Sequence, residues 1–336
     1  MLILSGDIGG THCRLACYQT HEHAPPEELA SATYPSASAD NLIEMVQRFL
    51  DHHRLQPQAA GFGLAGPVQG RICYTTNLPW MVDADAIEQQ LGIPWVELLN
   101  DLEATAWGVA ALSPADLLTL QPGAPNAHGN RAIIAAGTGL GQAALYWDGK
   151  RHHPFASEGG HCDFAPANEQ EIELLRFLQQ EYGHVSWERL LSGPGLVNIH
   201  RFLCSKERHA TPLDPANGDL AAQIANRAHL GDSNCQQAVE IFFRLLAREA
   251  ANQALKINAR GGVYIGGGIA PKNLTWLQRP EFIEHFHAKG RMRALVENMP
   301  LHVILNDRIA LLGPVGFLGS RFEVRGSRCE ALGSRL

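Results

Sequence analysis

Three glycine-rich turns and one amide–carboxylate pair are the parts of this chain whose chemistry can be read from residue type and spacing. The first turn, Gly6-Asp7-Ile8-Gly9-Gly10-Thr11, lies between two apolar runs, Leu2-Ile3-Leu4 and Cys13 to Tyr18. Glycines let the backbone turn with φ > 0 and bring N–H groups close to an anion, so such a hairpin can cradle phosphates. Asp7 sets a carboxylate beside those phosphates and would hold Mg²⁺ through water, because Mg²⁺ keeps much of its hydration shell. A second turn, Ala136-Gly137-Thr138-Gly139-Leu140-Gly141, also follows an apolar run, and its backbone offers the same kind of cradle. In the third, Ile265-Gly266-Gly267-Gly268-Ile269, the missing side chains of Gly267 and Gly268 would let a flat adenine lie against the backbone. Taken singly, the first also reads as an ordinary hairpin turn and the third as a close strand-to-helix crossing.

The pair is Asn100-Asp101, directly after the run Val96 to Leu99. In open α/β sheets, chemistry collects just past the carboxyl ends of strands. Both residues would also cap a helix over Leu102 to Val109, and a capping aspartate can still act as a base. Two other nucleotide motifs fail. Gly139-Leu140-Gly141-Gln142-Ala143-Ala144 fits the dinucleotide fingerprint, but Leu145-Tyr146-Trp147-Asp148-Gly149 reads as a strand and hairpin corner where that motif needs a helix. No G-x-x-x-x-G-K-[ST] sequence occurs.

The elements that would position these groups alternate. Strands are expected at Leu2–Leu4, Cys13–Tyr18, Leu29–Tyr34, Ala59–Leu64 and Val96–Leu99, with a short β segment near Arg71–Thr76. Helices are expected after an Asp40 cap, with Leu42, Ile43, Val46, Phe49 and Leu50 on one face, and at Ala84–Leu91. This interleaving predicts an α/β fold with a largely parallel sheet. A Pro/Gly/Asn-rich loop, Gln121 to Asn130, precedes a second strand–turn–strand unit at Ala132–Ala136 and Gln142–Trp147, so the domain boundary falls near residue 112. Helical patterns follow at Glu169–Glu181, Val185–Leu191, Gly195–Leu203, Asp219–Leu230 and Cys235–Leu255, then a strand at Gly262–Ile265. From Arg321 the chain loses periodicity, and a loosely ordered tail is expected over 321–336.

Composition narrows the partners. With 336 residues the chain is long enough for two domains of about 150 residues. A net charge of −7 and no Lys/Arg-rich run supply no field for nucleic acid or an anionic bilayer, so a small-molecule partner is favoured. No stretch approaches the ~20 apolar residues of a membrane span, and the opening Met1-Leu2-Ile3-Leu4 is too short for a signal peptide, which together imply a cytoplasmic protein. Seven cysteines without paired spacing read as reduced thiols, and the adjacent pairs His52-His53 and His152-His153 point in different directions and lack a cysteine or carboxylate partner at zinc-ligand spacing.

The combination is far more specific than any one motif. In order along the chain, the phosphate-loop segment, Leu98-Leu99-Asn100-Asp101, Gly137-Thr138-Gly139-Leu140-Gly141, Glu158-Gly159-Gly160-His161-Cys162-Asp163-Phe164-Ala165-Pro166 and Leu191-Ser192-Gly193-Pro194-Gly195-Leu196-Val197-Asn198 resemble the bacterial glucokinase family. The likeness runs from about Ile3 to Leu318 and places the chain among actin-like sugar kinases. It implies two actin-like (ribonuclease H-like) α/β domains around a central cleft: residues 1–111, completed by the strand His302–Leu305 and helix Ile309–Leu318 within 302–320, and a larger domain, 112–301, with helical insertions.

The resemblance also implies a reaction: transfer of the γ-phosphoryl group of ATP, with Mg²⁺, to glucose, as the entry step of glycolysis. By the same match, Asp101 stands where the family keeps its catalytic base, and Asn100, Asp101, Glu158, His161 and Glu188 stand where it binds glucose. The phosphates would meet Gly6, Asp7, Ile8, Gly9, Gly10, Thr11, Gly137, Thr138 and Gly139, with Gly267 and Gly268 near the adenine. Sugar binding would close the cleft, and a homodimer is the family expectation. Two departures stand out. His12 follows Thr11 where the family usually has Asn, and the cysteine-rich zinc motif of the related repressor and open-reading-frame kinases is absent after His161, which points to the zinc-free group. Without the match, Glu188 and His161 read as a solvated helix residue and a hydrogen-bonded loop histidine. A kinase of mannose or fructose, a sugar-sensing regulator and an ATP-driven chaperone switch are the rival readings.

Overall fold

The apolar run at the amino terminus builds the first of two units into which the chain divides, Met1–Ser113 with Asn306–Leu336; the second is Pro114–Leu305. A computed structural model describes residues 1–21, 24–76, 78–206 and 213–333.

In the first unit the chain runs through β1 (Leu2–Ile8), β2 (His12–His21), β3 (Ala24–Pro35), α1 (Leu42–His53), β4 (Ala59–Leu64), a ribbon of β5 (Val68–Gln69), β6 (Ile72–Tyr74) and β7 (Met81–Asp83), then α2 (Ala84–Leu91), β8 (Val96–Asn100) and α3 (Asp101–Val109). The main sheet has the order β3-β2-β1-β4-β8. Only β1, β4 and β8 are parallel. β1–β2 and β2–β3 are antiparallel, so the sheet is mixed where the sequence suggests a largely parallel one. The cause is the short glycine turn, since a link of a few residues can join only antiparallel neighbours.

Both faces of this sheet are covered. On one, Leu42, Met45, Val46 and Phe49 of α1 are buried at helical spacing against Leu4, Leu15 and Phe62. Asn41, one residue beyond the expected Asp40, caps α1 by accepting the Glu44 N–H at 2.9 Å, and the Glu44 carboxylate accepts the Asp40 N–H at 3.0 Å. That reciprocal pair satisfies two of the N–H groups a helix start leaves open. On the other face lies the C-terminal helix, Ile309–Gly333, with Leu311, Val315 and Leu318 packed on Ile3, Ala59 and Leu99. A Cβ on Gly313 would fall 1.7 Å from the Ala104 carbonyl oxygen, so α3 and this helix touch through bare backbone. The helix runs on across most of the segment read as a tail.

The second unit holds β9 (Leu117–Gln121), β10 (Arg131–Ala136), β11 (Leu140–Trp147), β12 (His152–Ser157), α4 (Glu169–Tyr182), α5 (Gly193–Cys204), α6 (Leu220–His229), α7 (Ser233–Ile257), β13 (Val263–Gly266) and β14 (Leu301–Ile304). Its sheet order is β12-β11-β10-β13-β14-β9. β14 corrects an expectation: the strand assigned to the first domain pairs with β13, Val303 beside Ile265, and Leu301, Val303 and Ile304 are buried there. The chain returns to the first unit only from Asn306. A second correction concerns Val185–Leu191, which forms one 3₁₀ turn, Trp187–Arg189, instead of a helix. Ser186 is tied in a β-bridge to Asp163, and Ser192 already caps α5, which leaves no room for a longer helix. Helix α7 is buried on most sides, with Leu245, Leu246, Ala250, Ala251 and Ala254 in the core it shares with the sheet and the neighbouring helices. Among the described residues no helix is long and apolar enough to cross a membrane.

Candidate active site

In the first unit the parallel strands bring two carboxylates to one edge. Asp7 pairs in register with Gly63, Gly63 with Leu99, and Leu64 with Asn100. Strands lie about 4.8 Å apart, so Asp7 and the β8 end are roughly 10 Å apart across one intervening strand. A Cβ on Gly63 would stand 2.8 Å from the Ala104 Cβ and 3.8 Å from the Asp101 Cα. The bare Gly63 therefore lets α3 start directly over β4 and holds the Asp101 backbone beside the strand that neighbours Asp7.

Asn100 caps α3, accepting the Leu102 N–H at 3.0 Å and donating through Nδ2 to the Gly66 carbonyl at 3.4 Å. Asp101 Oδ1 accepts the same Leu102 N–H at 2.8 Å. The positive end of the helix dipole favours a negative charge at this position. The bond fixes the orientation of the Asp101 carboxylate at the start of α3.

The turn from Gly9 to His12 is fastened by the Gly9 N–H to the His12 carbonyl (3.0 Å) and by Ser36 Oγ donating to the Gly9 carbonyl (2.7 Å). None of Gly6, Gly9, Gly10, Gly137 and Gly139 adopts the left-handed φ expected of them. What matters is the missing Cβ. Gly6 lies within β1, where a Cβ would come 2.5 Å from the Phe62 ring, and Ile8 is buried, so neither offers a side chain to a ligand. Thr11 and His12 are exposed at the turn.

Burial pushes the Asp7 carboxyl above the usual carboxylate range, opposed by Arg14, its partner in the β1–β2 register. Such a desolvated carboxylate gains from a divalent cation. Among the described residues no cluster of three or more His, Cys, Asp or Glu side chains could hold a metal ion; an ion held by the single Asp7 carboxylate would need water and phosphate oxygens to complete its shell. Asp7 therefore fits Mg²⁺ as the phosphates would carry it.

In the second unit the two remaining glycine turns meet. β10 and β13 are parallel, with Ala135 opposite Gly266, and a Cβ on Gly137 would lie 3.9 Å from the Gly268 nitrogen. Gly267 has φ +83°, and a Cβ there would fall 2.2 Å from the Ala136 carbonyl oxygen, so conformation and space both require glycine. The Gly193 N–H donates to the Gly137 carbonyl at 2.8 Å, which brings the start of α5 against the same turn. These backbones, with Thr138, Leu196, Ala225, Asn226, Phe242, Ile269, Lys272 and Asn273, line a cavity of about 740 Å³. Its lining is mostly apolar, with Thr138, Asn226, Lys272 and Asn273 among its polar groups, and it has the size and character of a small-molecule pocket.

Glu188, on the 3₁₀ turn, joins this region to the Glu158–His161 loop. Its Oε2 accepts the Leu140 N–H at 2.9 Å, and a Cβ on Gly139 would come within 2.5 Å of that oxygen. Its Oε1 lies 4.0 Å from His161 Nδ1, and Glu158 Oε2 lies 3.9 Å from His161 Nε2. Glu158 and His161 are exposed, so two carboxylates and an imidazole present donors and acceptors suited to a polyol. The loop rests on the strand, because a Cβ on Gly160 would fall 2.1 Å from the Leu140 carbonyl oxygen. The structure thus brings Glu158, His161 and Glu188 together in one unit and Asp7, Asn100 and Asp101 together in the other. Sequence reasoning missed the α6 and Lys272–Asn273 walls of the cavity, whose helical spacing resembles that of any packed helix.

A glycine hairpin, a mostly apolar pocket and two carboxylates beside an imidazole are parts that a sugar kinase would use, and the comparisons with known proteins give that class. The family model described as glucokinase matches residues 4–320. A glucokinase from Nostoc sp. is 38% identical over 332 residues, covering 93% of this chain and 97% of that protein. The crystal structure of a glucokinase from an Antarctic psychrotroph superposes with a TM-score of 0.85 at 30% identity, covering 95% of this chain and 99% of that one. A ROK family glucokinase from Streptomyces griseus, solved in complex with glucose and AMPPNP, shares the fold at 20% identity, with a TM-score of 0.62 over 94% of this chain and 98% of that one. The chain belongs to the glucokinase family.

Proposed function

We propose that this chain transfers the γ-phosphoryl group of ATP to the 6-hydroxyl of glucose, giving glucose 6-phosphate and ADP, and that Asp101 is its base. The sugar oxygen attacks the γ-phosphorus, the bond to the ADP oxygen breaks, and the hydroxyl proton passes to the Asp101 carboxylate. A positioned base of this kind contributes about 10²–10⁴-fold. Asn100, Glu158, His161 and Glu188 bind the remaining hydroxyls, and a polar site of this type rejects an analogue lacking one hydroxyl by about 10⁴–10⁵.

The backbones of Gly9 to Thr11 and Gly137 to Gly139 hold the phosphates, and the cavity beside Gly267 and Gly268 holds the adenosine. Asp7 retains Mg²⁺ through its water shell, and the ion supplies charge neutralisation on the phosphates. Gly63 is the observation that carries this reading: it sets Asp101 one strand away from Asp7 at the carboxyl edge of the parallel strands.

The same reading places the chain in the zinc-free, actin-like branch, working as a homodimer in the cytoplasm. Support for the compartment is that none of the described cysteines forms a disulfide. The test is ADP release from Mg·ATP with glucose, mannose, fructose or no sugar. Glucose should give the highest kcat/KM. A preference for mannose or fructose would move the assignment to another hexose, and sugar-independent turnover would replace it with an ATP-driven switch.

A further inference from the structure

Glu249 is a carboxylate with no exposure on α7, facing a sheet whose other contacts with this helix are largely apolar. It meets a second buried polar group there: Gln142 of β11, 2% exposed, donates through Nε2 to Glu249 Oε1 at 2.9 Å. The other carboxylate oxygen accepts from Asn252 Nδ2 at 2.8 Å, and Lys256 Nζ stands 3.7 Å from Oε1. Lys289 extends the set by donating to Asn252 Oδ1 at 2.5 Å. Taking a carboxylate and an amide out of water is unfavourable, and an apolar pair of similar volume would pack at least as well. What such a network does provide is one fixed arrangement of its members.

The free end of Gln142 shows what is fixed. A Cβ on Gly159 would lie 2.2 Å from Gln142 Oε1 and 3.1 Å from Ser157 Oγ, so the Gly159 backbone is seated directly on the amide. Ser157, the register partner of Gln142, accepts the Gly159 N–H at 3.0 Å. Gly159 in turn opens the short helical turn that carries Glu158 on one side and His161 on the other, closed by the His161 N–H to the Glu158 carbonyl at 3.0 Å. The Glu249 bond holds the amide plane of Gln142 in one orientation, and that plane is the floor on which the loop stands.

We propose that Gln142 and Glu249 are positioning residues for the sugar: the buried bond between them sets the height and orientation of the Glu158–His161 loop, and through it the affinity for the hexose. This rests on the assignment of Glu158 and His161 to the sugar. Neither residue touches the nucleotide cavity, so the effect is confined to one substrate.

The test uses the full chain and four variants. Glu249→Met and Gln142→Met remove the polar bond at similar volume, Glu249→Gln keeps an acceptor for the Gln142 amide, and His161→Ala reports on the sugar site itself. Displacing a bound group by a fraction of an ångström weakens productive binding by about 10-fold or more. Either methionine variant should raise the KM for glucose by about 10-fold while the KM for ATP and the kcat at saturating sugar stay within about twofold, and Glu249→Gln should restore the wild-type KM. A lowered melting temperature with unchanged KM for glucose in both methionine variants would make the pair purely structural and overturn the inference, as would an equal rise in both KM values. If one methionine variant fails to fold, the other and Glu249→Gln still decide the matter. An unchanged KM in His161→Ala would instead remove the loop from the sugar site, and the inference with it; a raised KM there, beside unchanged values in the methionine variants, would sink the inference alone.

Discussion

The Glu188 carboxylate accepts the Leu140 backbone N–H at 2.9 Å, which pins an acid from a single 3₁₀ turn to the first residue of the strand leaving a glycine turn. One oxygen is thereby committed to the backbone and the other is turned towards His161, 4.0 Å away. On the proposed assignment, contact with the sugar and support of the Gly137–Gly139 turn share one side chain.

Glu188→Ala should therefore harm both substrates. A hydrogen bond to a charged group is worth about 1.5–3 kcal/mol, so the KM for glucose should rise by about 10- to 100-fold, with a smaller rise for ATP as the Gly137–Gly139 turn loosens. Steady-state kinetics with each substrate varied checks this, and an unaltered KM for ATP would separate the turn from Glu188.

Gly267→Ala should act through the backbone. At φ +83° and with the Ala136 carbonyl oxygen 2.2 Å from the new Cβ, the substitution should destabilise the fold by about 1–3 kcal/mol and raise the KM for ATP more than that for glucose. Urea unfolding and nucleotide titration measure the two effects.

Asp7→Asn keeps shape and removes charge. The Mg²⁺ concentration for half-maximal rate should rise by about tenfold, while direct glucose binding without nucleotide stays as in the wild type. Titration of activity with Mg²⁺ at fixed ATP provides the comparison.

Stability should fall in mild acid. Burial, assisted by Arg131, holds His302 below the usual imidazole range, and burial does the same for His200, His285 and His287. The unfolded chain takes up protons at these sites as pH drops through about 6.5 whereas the folded chain resists, so stability is present above that pH and is lost below it. The urea midpoint should drop between about pH 7.5 and about pH 5.5, and drop less in His302→Gln.

Several elements are legible from sequence because their faces are. Ala59–Leu64 and Ala84–Leu91 are found at their observed limits, since each is bounded by turn residues and buries a complete face. Edge strands are not legible. His152-His153-Pro154 has little apolar content because β12 borders the sheet, and Leu117–Gln121 is a short strand whose one partner, β14, lies far along the chain. The same non-locality explains β14, whose sequence states that it is a strand but not which sheet it joins.

At the site, local chemistry is visible and mutual placement is not. Asp7, Asp101 and the glycine turns announce themselves by type. That Gly63 seats α3, that Glu188 reaches Leu140, and that Gln142 underlies Gly159 all depend on approaches between segments distant in sequence. Within the expected strand Ala59–Leu64, nothing local to Gly63 announces the helix that packs over it.

Asp101→Asn, assayed for turnover at saturating ATP and glucose and for glucose affinity by direct titration, tests the central claim most directly. The amide preserves the cap on Leu102 and loses the basic oxygen, so kcat should fall by about 10²–10⁴-fold while glucose affinity stays within about threefold. Wild-type turnover in this variant would show that the proton of the attacking hydroxyl goes elsewhere and that Asp101 is only a helix cap.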